Sequence, residues 1–305
     1  MKTKLILGLS TVALAFTPMA KKVDLQFNLE KGKTYSQKTV MMTETKQTIM
    51  GNEQVVKQSA IAETKMELKE GGKNANTYSI WYDSIQMAIE QGGTAQEFTS
   101  DTAALAQVDP MSTIFSSMVD KKFEANIDLK GNIQEVTGLE EIVTDATSSL
   151  GEQASLVAEQ ISAGFGDSGL AKNLEMLTAI MPETAVKVGA TWSNEQFTSS
   201  GLPLIMTNTF TLKSIKEGVA VINVEADMSV DPENSTTEIQ GMAASFFLEG
   251  TRTGSFQMEV STGFVTSAEM DDEIVGSITI EANNQVPEGM TIPLEMKTKT
   301  TVSSY

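Results

Sequence analysis

Residues 23–93, VDLQFNLEKGKTYSQKTVMMTETKQTIMGNEQVVKQSAIAETKMELKEGGKNANTYSIWYDSIQMAIEQGG, decide the fold. Threonine, valine, isoleucine and tyrosine recur, the residues that suit a pleated, half-buried surface. Val23, Leu25, Phe27 and Leu29 alternate with polar neighbours, the period of a strand with one face on a core. Lys31-Gly32, Met50-Gly51-Asn52 and Gly71-Gly72 punctuate the run as tight turns do. The stretch therefore predicts four strands, two of them roughly 12–16 residues long against a usual 3–10. Antiparallel strands of that length make a broad, strongly twisted sheet.

Downstream the period changes. Within residues 101–121, Met111, Ile114, Phe115, Met118 and Val119 repeat at helical spacing. Asp109 is placed to cap this amphipathic helix, with Pro110 at its first position. Strand character returns at Phe123 around a Lys130-Gly131-Asn132 turn. Residues 139–182 read as helical, with Leu170, Leu174, Leu177 and Met181 forming one apolar stripe that Pro182 ends. From residue 183 the chain is strand-rich, with turns at Ser200-Gly201, Glu217-Gly218, Asp231-Pro232, Thr262-Gly263 and Pro287-Glu288-Gly289.

The expected class is α+β and mainly antiparallel β: a broad curved sheet or half-barrel with amphipathic helices packed on it. An internal echo points to two related β modules. Gly32-Lys33-Thr34-Tyr35 returns as Gly189-Ala190-Thr191-Trp192, and Phe123…Gly131-Asn132-Ile133 returns as Phe256…Gly263-Phe264-Val265. The spacings differ, so this is no solenoid. The organisation reads as a signal peptide (1–20), a first β module (21–138) with its helical insert near 101–121, a helical segment (139–182) and a second β module (183–305).

The amino terminus, MKTKLILGLSTVALAFTPMA, has two lysines before an apolar run and small residues after it, the layout of a secretory signal. The run is short against the roughly 20 residues of a membrane span. Cleavage fits after Ala15 or Ala20, and the mature chain is expected to be soluble and periplasmic or secreted. Cysteine is absent, which excludes disulfides and lipidation through an amino-terminal cysteine, so stability must come from core burial.

Composition removes whole classes of function. The net charge is −18 and Arg252 is the single arginine, which excludes a nucleic-acid partner because counterion release needs clustered cations. With neither histidine nor cysteine, Ser-His-Asp, Cys-His and H-E-x-x-H chemistries are impossible. Gly164, Gly166 and Gly169 spell G-x-G-x-x-G, but a dinucleotide site needs a strand before the first glycine. Here Leu156, Val157 and Ile161 precede it at helical spacing, so the glycines read as a turn between helices and no cofactor is expected. The acidic clusters Glu140-Glu141 and Glu269, Asp271, Asp272, Glu273 lack the calcium-loop pattern and read as solvated faces. The 18 methionines fill irregular cores or line adaptable apolar cavities.

LQFNLEKGKTY, MPETAVKVGATW and GSFQMEVSTGFV together resemble a family of exported Bacteroidota proteins of unknown function, over nearly all the mature chain. The implied architecture also resembles the periplasmic lipoprotein-carrier fold, a curved antiparallel sheet covered by helices. Neither likeness carries functional residues across. The favoured expectation is a non-enzymatic exported binding or envelope protein holding a lipid or other apolar ligand between sheet and helices. Met111, Phe115, Met118, Leu174 and Leu177 are the pocket-side candidates. The alternatives are a protein–protein interaction module of the envelope and a hydrolase built on two carboxylates roughly 5–10 Å apart.

Overall fold

Runs rich in threonine, valine and isoleucine form strands wherever the turn residues allow them to reverse. The computed structural model describes residues 22–105, 107–148, 167–197, 202–239, 242–283 and 286–305. Its elements are β1 (Thr34–Ile49), β2 (Asn52–Gly71), β3 (Ala75–Gln91), β4 (Thr94–Thr99), α1 (Pro110–Met118), β5 (Phe123–Asp128), β6 (Ile133–Thr137), α2 (Leu139–Thr147), α3 (Asp167–Thr178), β7 (Thr191–Phe197), β8 (Leu204–Lys216), β9 (Val219–Val230), β10 (Thr236–Ile239), β11 (Met242–Glu259), β12 (Val265–Ile280) and β13 (Met290–Ser304). The chain is mainly antiparallel β, as expected. All 13 strands among the described residues belong to one sheet, ordered β6-β5-β3-β2-β1-β13-β12-β11-β9-β8-β7, with β4 beside β3 and β10 beside β11.

The middle of the sheet is the β1–β13 ladder, running from Gln37 opposite Ser304 to Gln47 opposite Leu294. Strand order descends in the same sense through each half. Ile80 faces Phe123 across β3–β5, and Ile222 faces Phe256 across β9–β11. The first three ladder strands have 16, 20 and 17 residues: β1 falls within the expected length, β2 and β3 exceed it, and three strands rather than two are long. β2 takes up the excess at irregularities in its register with β3, between Glu63 and Thr64 and between Leu68 and Glu70. Several turn positions came out as expected: Glu217-Gly218 both have positive φ, as do Gly32, Gly131, Gly263 and Gly289, while Ser200-Gly201 lies outside the described residues. Asp109 Oδ1 caps α1 by accepting from Ser112 N at 2.9 Å.

One expected strand is absent from the ladder. Residues 23–29 make only an isolated bridge, Val23 to Val186, although Leu25, Phe27 and Leu29 are fully buried. Extended backbone produces the alternation, but its polar groups go to turns: Phe27 N donates to Leu129 O and Asn28 N to Thr262 O. The segment thus crosses the β5–β6 and β11–β12 turns and closes one end of the curved sheet. Gly263 must be glycine there, because a Cβ would lie 2.3 Å from Gln26 O.

The sheet's two edges are joined by one helix. α3 packs against both β6 and β7, so the edges lie about one helix diameter, roughly 10–12 Å, apart. On the β6 side, Glu175 Oε1 accepts from Ile133 N (3.0 Å) and Thr178 Oγ1 donates to Gly131 O (2.6 Å). On the β7 side, Gln196 Nε2, Asn194 Nδ2 and Trp192 Nε1 donate to the carbonyls of Glu175 (2.9 Å), Ala179 (2.5 Å) and Ile180 (3.0 Å). Carbonyls at and just past the helix end thereby take up side-chain donors of one edge strand. The expected stripe is shortened: the helix ends at Thr178, and Met181 is buried beyond it. Gly164 and Gly166, and the segment before them, lie outside the described residues; Asp167 onward is helical as expected.

Gly131 and Gly218 both have positive φ (+87° and +80°), but a Cβ at Gly131 would lie 1.8 Å from Thr178 O while one at Gly218 meets nothing within 4 Å. Gly131→Ala is therefore expected to lose about 1–3 kcal/mol more stability than Gly218→Ala, the overpacking component on top of a shared φ strain. Urea midpoints of the two variants measure the difference.

Candidate ligand-binding face

Two apolar clusters occupy the inner face. The first gathers Tyr35, Tyr78, Phe115, Phe123, Phe210, Phe256 and their neighbours, and the helices cover it. The second is smaller: Leu204, Met206, Ala226, Met228, Phe246, Leu248, Ile274 and Leu294. Its buried members all come from strands β8, β9, β11, β12 and β13. α1 packs on β3, β4 and α2, and α3 on β6 and β7.

Between the clusters runs a polar row, visible in the register. Asn194 lies opposite Asn208, Asn208 opposite Ala226, Ala226 opposite Arg252, Arg252 opposite Asp272, Asp272 opposite Thr298, Thr298 opposite Thr43 and Thr43 opposite Gln58. Arg252 is 7% exposed, and its Nε and Nη2 donate to the two oxygens of Asp272 at 2.6 and 2.7 Å. Such a bidentate pair is the form in which charge tolerates burial. Thr43 and Thr298 share a hydroxyl hydrogen bond of 3.0 Å. Asn208 Nδ2 donates to Asn194 Oδ1 and Gln196 Oε1, each at 3.0 Å. Asn208 is fully buried, and its Oδ1 has no hydrogen-bond partner among the described residues.

Glycine shapes the surroundings of the pair. Gly250 and Gly254 flank Arg252 on the same face of β11. A Cβ at either would meet a β12 carbonyl at 2.6 or 2.5 Å and the side chain of Ile274 or Met270 at 2.9 Å. The bare backbone lets those two side chains lean over β11 on either side of the guanidinium. Burial along the row falls from Asn208 at one end to exposed Gln58 at the other, beside Met41 at 42% exposure.

The opposite face carries a groove of about 600 Å³ across β4, β3, β2, β1, β13 and β12. Met42, Ser59 and Ala88 line it together with charges, including Glu44, Lys57, Glu97 and Lys297. Lys297 beside Glu273, and Lys299 beside Glu269, are held above the usual ammonium range by those carboxylates. The acidic run thus divides by strand alternation: Glu269, Asp271 and Glu273 face outward, while Asp272 turns in to Arg252. Among the described residues no group of three acidic side chains is arranged to hold a metal.

The five pocket-side residues expected from sequence all join the first cluster. Phe115 and Met118 are 1% exposed and Leu177 is 9%; Met111 and Leu174 are partly buried against them. None lines the outer groove or the smaller depression around Met181, Pro182 and Trp192. Methionine as core filler needs correction at three positions: Met41, Met42 and Met50 are exposed, Met50 in the β1–β2 turn expected there. The polar row was missed. Its signal was present in Leu248-x-Gly250-x-Arg252-x-Gly254-x-Phe256, an arginine at an inward position of an apolar strand.

A single antiparallel sheet curled about an apolar face, its edges bridged by a helix, places the chain with large-sheet β proteins. Lipovitellin, solved in a study of its lipid–protein interactions, shares this fold with a TM-score of 0.52 at 9% identity, over 90% of this chain. This chain spans about a quarter (25%) of lipovitellin's length. The β domain of the Bordetella autotransporter BrkA and the Pseudomonas aeruginosa channel OccK7 overlap only at TM-scores of 0.22 and 0.25, with 8% and 5% identity, over 89% and 90% of this chain and 100% and 99% of theirs. No curated protein matches the sequence. The chain belongs to the DUF6263 family, a family of unknown function, whose profile matches residues 73–265.

Glu175 at the seam gives this face a pH response. Burial raises its carboxyl above the usual range and nearby Asp128 adds to the effect, against the Ile133 N–H and Lys172. A raised folded pKa contributes stability that is complete below the unfolded value and lost as pH rises through the folded one. Glu175→Gln keeps an acceptor for Ile133 and removes the titration. The variant's melting temperature is expected to gain on the wild type as pH rises above about 4.3, read from paired thermal melts.

Proposed function

We propose that this chain is an exported, non-enzymatic protein that binds an apolar ligand on the inner face of its curled sheet. The observation that carries the reading is the second cluster, whose buried side chains among the described residues come from strands alone. An apolar strand face of this kind serves either as core beneath a covering element or as a bed for a ligand. The lipovitellin-like fold is consistent with the second use, and so is the architectural resemblance to periplasmic lipoprotein carriers. Export is supported by the lysine-then-apolar amino terminus. Helix α3 would act as the side wall, with Leu174 and Leu177 facing the closed end rather than the ligand.

Native mass spectrometry of protein gently extracted from its host is expected to show adducts in the lipid mass range that disappear after delipidation. A clean mass for the apo chain, together with no uptake of added lipid, would overturn the reading.

A further inference from the structure

We infer that the polar row is a head-group site, and that the ligand it selects is an electrically neutral, hydroxyl-bearing lipid such as a monoacylglycerol. This rests on the reading of the inner face as a lipid site and adds what kind of lipid it takes. An amphiphile lying on this face meets two environments: the second apolar cluster and, next to it, a band of buried polar groups. The tail belongs on the first and the head on the second.

The chemistry of the band sets the head. Asn208 Oδ1 is a buried acceptor without a partner among the described residues, and a buried acceptor left unpaired is costly. It calls for a donor. Two strands away, across the small side chain of Ala226 and about 10 Å off at usual strand spacing, Arg252 offers the complement. A guanidinium has five N–H groups, and only Nε and one N–H of Nη2 are engaged with Asp272. The remaining N–H groups, none of them a buried unpaired donor among the described residues, can still donate to an acceptor. A hydroxyl satisfies either need, and a head with two hydroxyls satisfies both.

Charge excludes the commoner alternatives. Arg252 is already neutralised by Asp272 with both carboxylate oxygens used. A fatty-acid carboxylate or a phosphate placed here would be a buried anion beside Asp272 with no uncompensated cation to meet it. A cationic head would find Asp272 occupied and Arg252 repelling it. A neutral polyol leaves the pair intact. The row is buried at Asn208, Ala226 and Arg252, half-buried through Asp272, Thr298 and Thr43, and exposed at Gln58, where Met41 of the neighbouring strand is also exposed, so a ligand would enter from the Gln58 end.

The test uses the delipidated full chain, titrated below their aggregation thresholds with monooleoylglycerol and with oleate at pH 8, which share one acyl chain. Monooleoylglycerol is expected to bind at least tenfold more tightly. Asn208→Leu removes the acceptor, and Arg252→Lys keeps the ion pair while offering fewer donors. Each variant should lose most of that preference while retaining oleate affinity, which also reports that it is folded. Oleate binding as well as or better than monooleoylglycerol, or an unchanged preference in both variants, overturns the head-group assignment and leaves the lipid reading standing. Failure of both amphiphiles to bind overturns both readings.

Discussion

The structure depends on the hydrogen bonds that α3 makes to both edges of the sheet. A sheet of this width has two rows of unpaired backbone groups, and unprotected edges invite pairing with other chains. Here the helix end supplies carbonyls to Trp192, Asn194 and Gln196 on one edge strand, while Glu175 and Thr178 engage the other. Bridging the edges fixes the curvature. Curvature in turn separates an inner face, where each fully buried Phe, Leu or Met is worth about 1.5–3 kcal/mol, from an outer face of interleaved lysines and carboxylates. Seam and polar row are also one network, because Asn194 and Gln196 hold the helix with one end of their amides and receive Asn208 with the other.

That connection matters energetically. Apolar residues in the row would have been the simpler way to stabilise a sheet, since a buried ion pair rarely outperforms well-packed hydrophobes of the same volume. The chain instead buries its one arginine, pairs its charge with Asp272, and leaves one amide oxygen unmatched among the described residues. Departures of this kind from the locally best choice concentrate where a protein meets something else.

Much of the architecture was legible because turns and alternation are local. Glu217-Gly218 and Asp109-Pro110 read correctly since each depends on a few bonds between near neighbours. Residues 23–29 misled because alternation reports an extended backbone and says nothing of which partner takes its hydrogen bonds. The seam was illegible for a related reason: Glu175 meets Ile133, and Thr178 meets Gly131, only after the sheet has curled. The five apolar residues on α1 and α3 were read as pocket-side; Phe115, Met118 and Leu177 are buried and Met111 and Leu174 half-buried, and burial alone does not separate a core from a ligand bed. Arg252 and Asp272 are 20 positions apart, and no periodicity links them.

The joint between β1 and β13 has a consequence for how the molecule comes into being. Thr43 and Thr298, hydrogen-bonded to each other at its centre, are 255 residues apart. Each half can form its own meander, yet the two cannot dock until β13 has been synthesised, and contacts of such long range are slow to form. Until then β1 presents a bare, methionine-bearing margin to its surroundings. A polypeptide assembled in this order has a prolonged unfinished stage, during which a holding chaperone that shields that margin would do the most good.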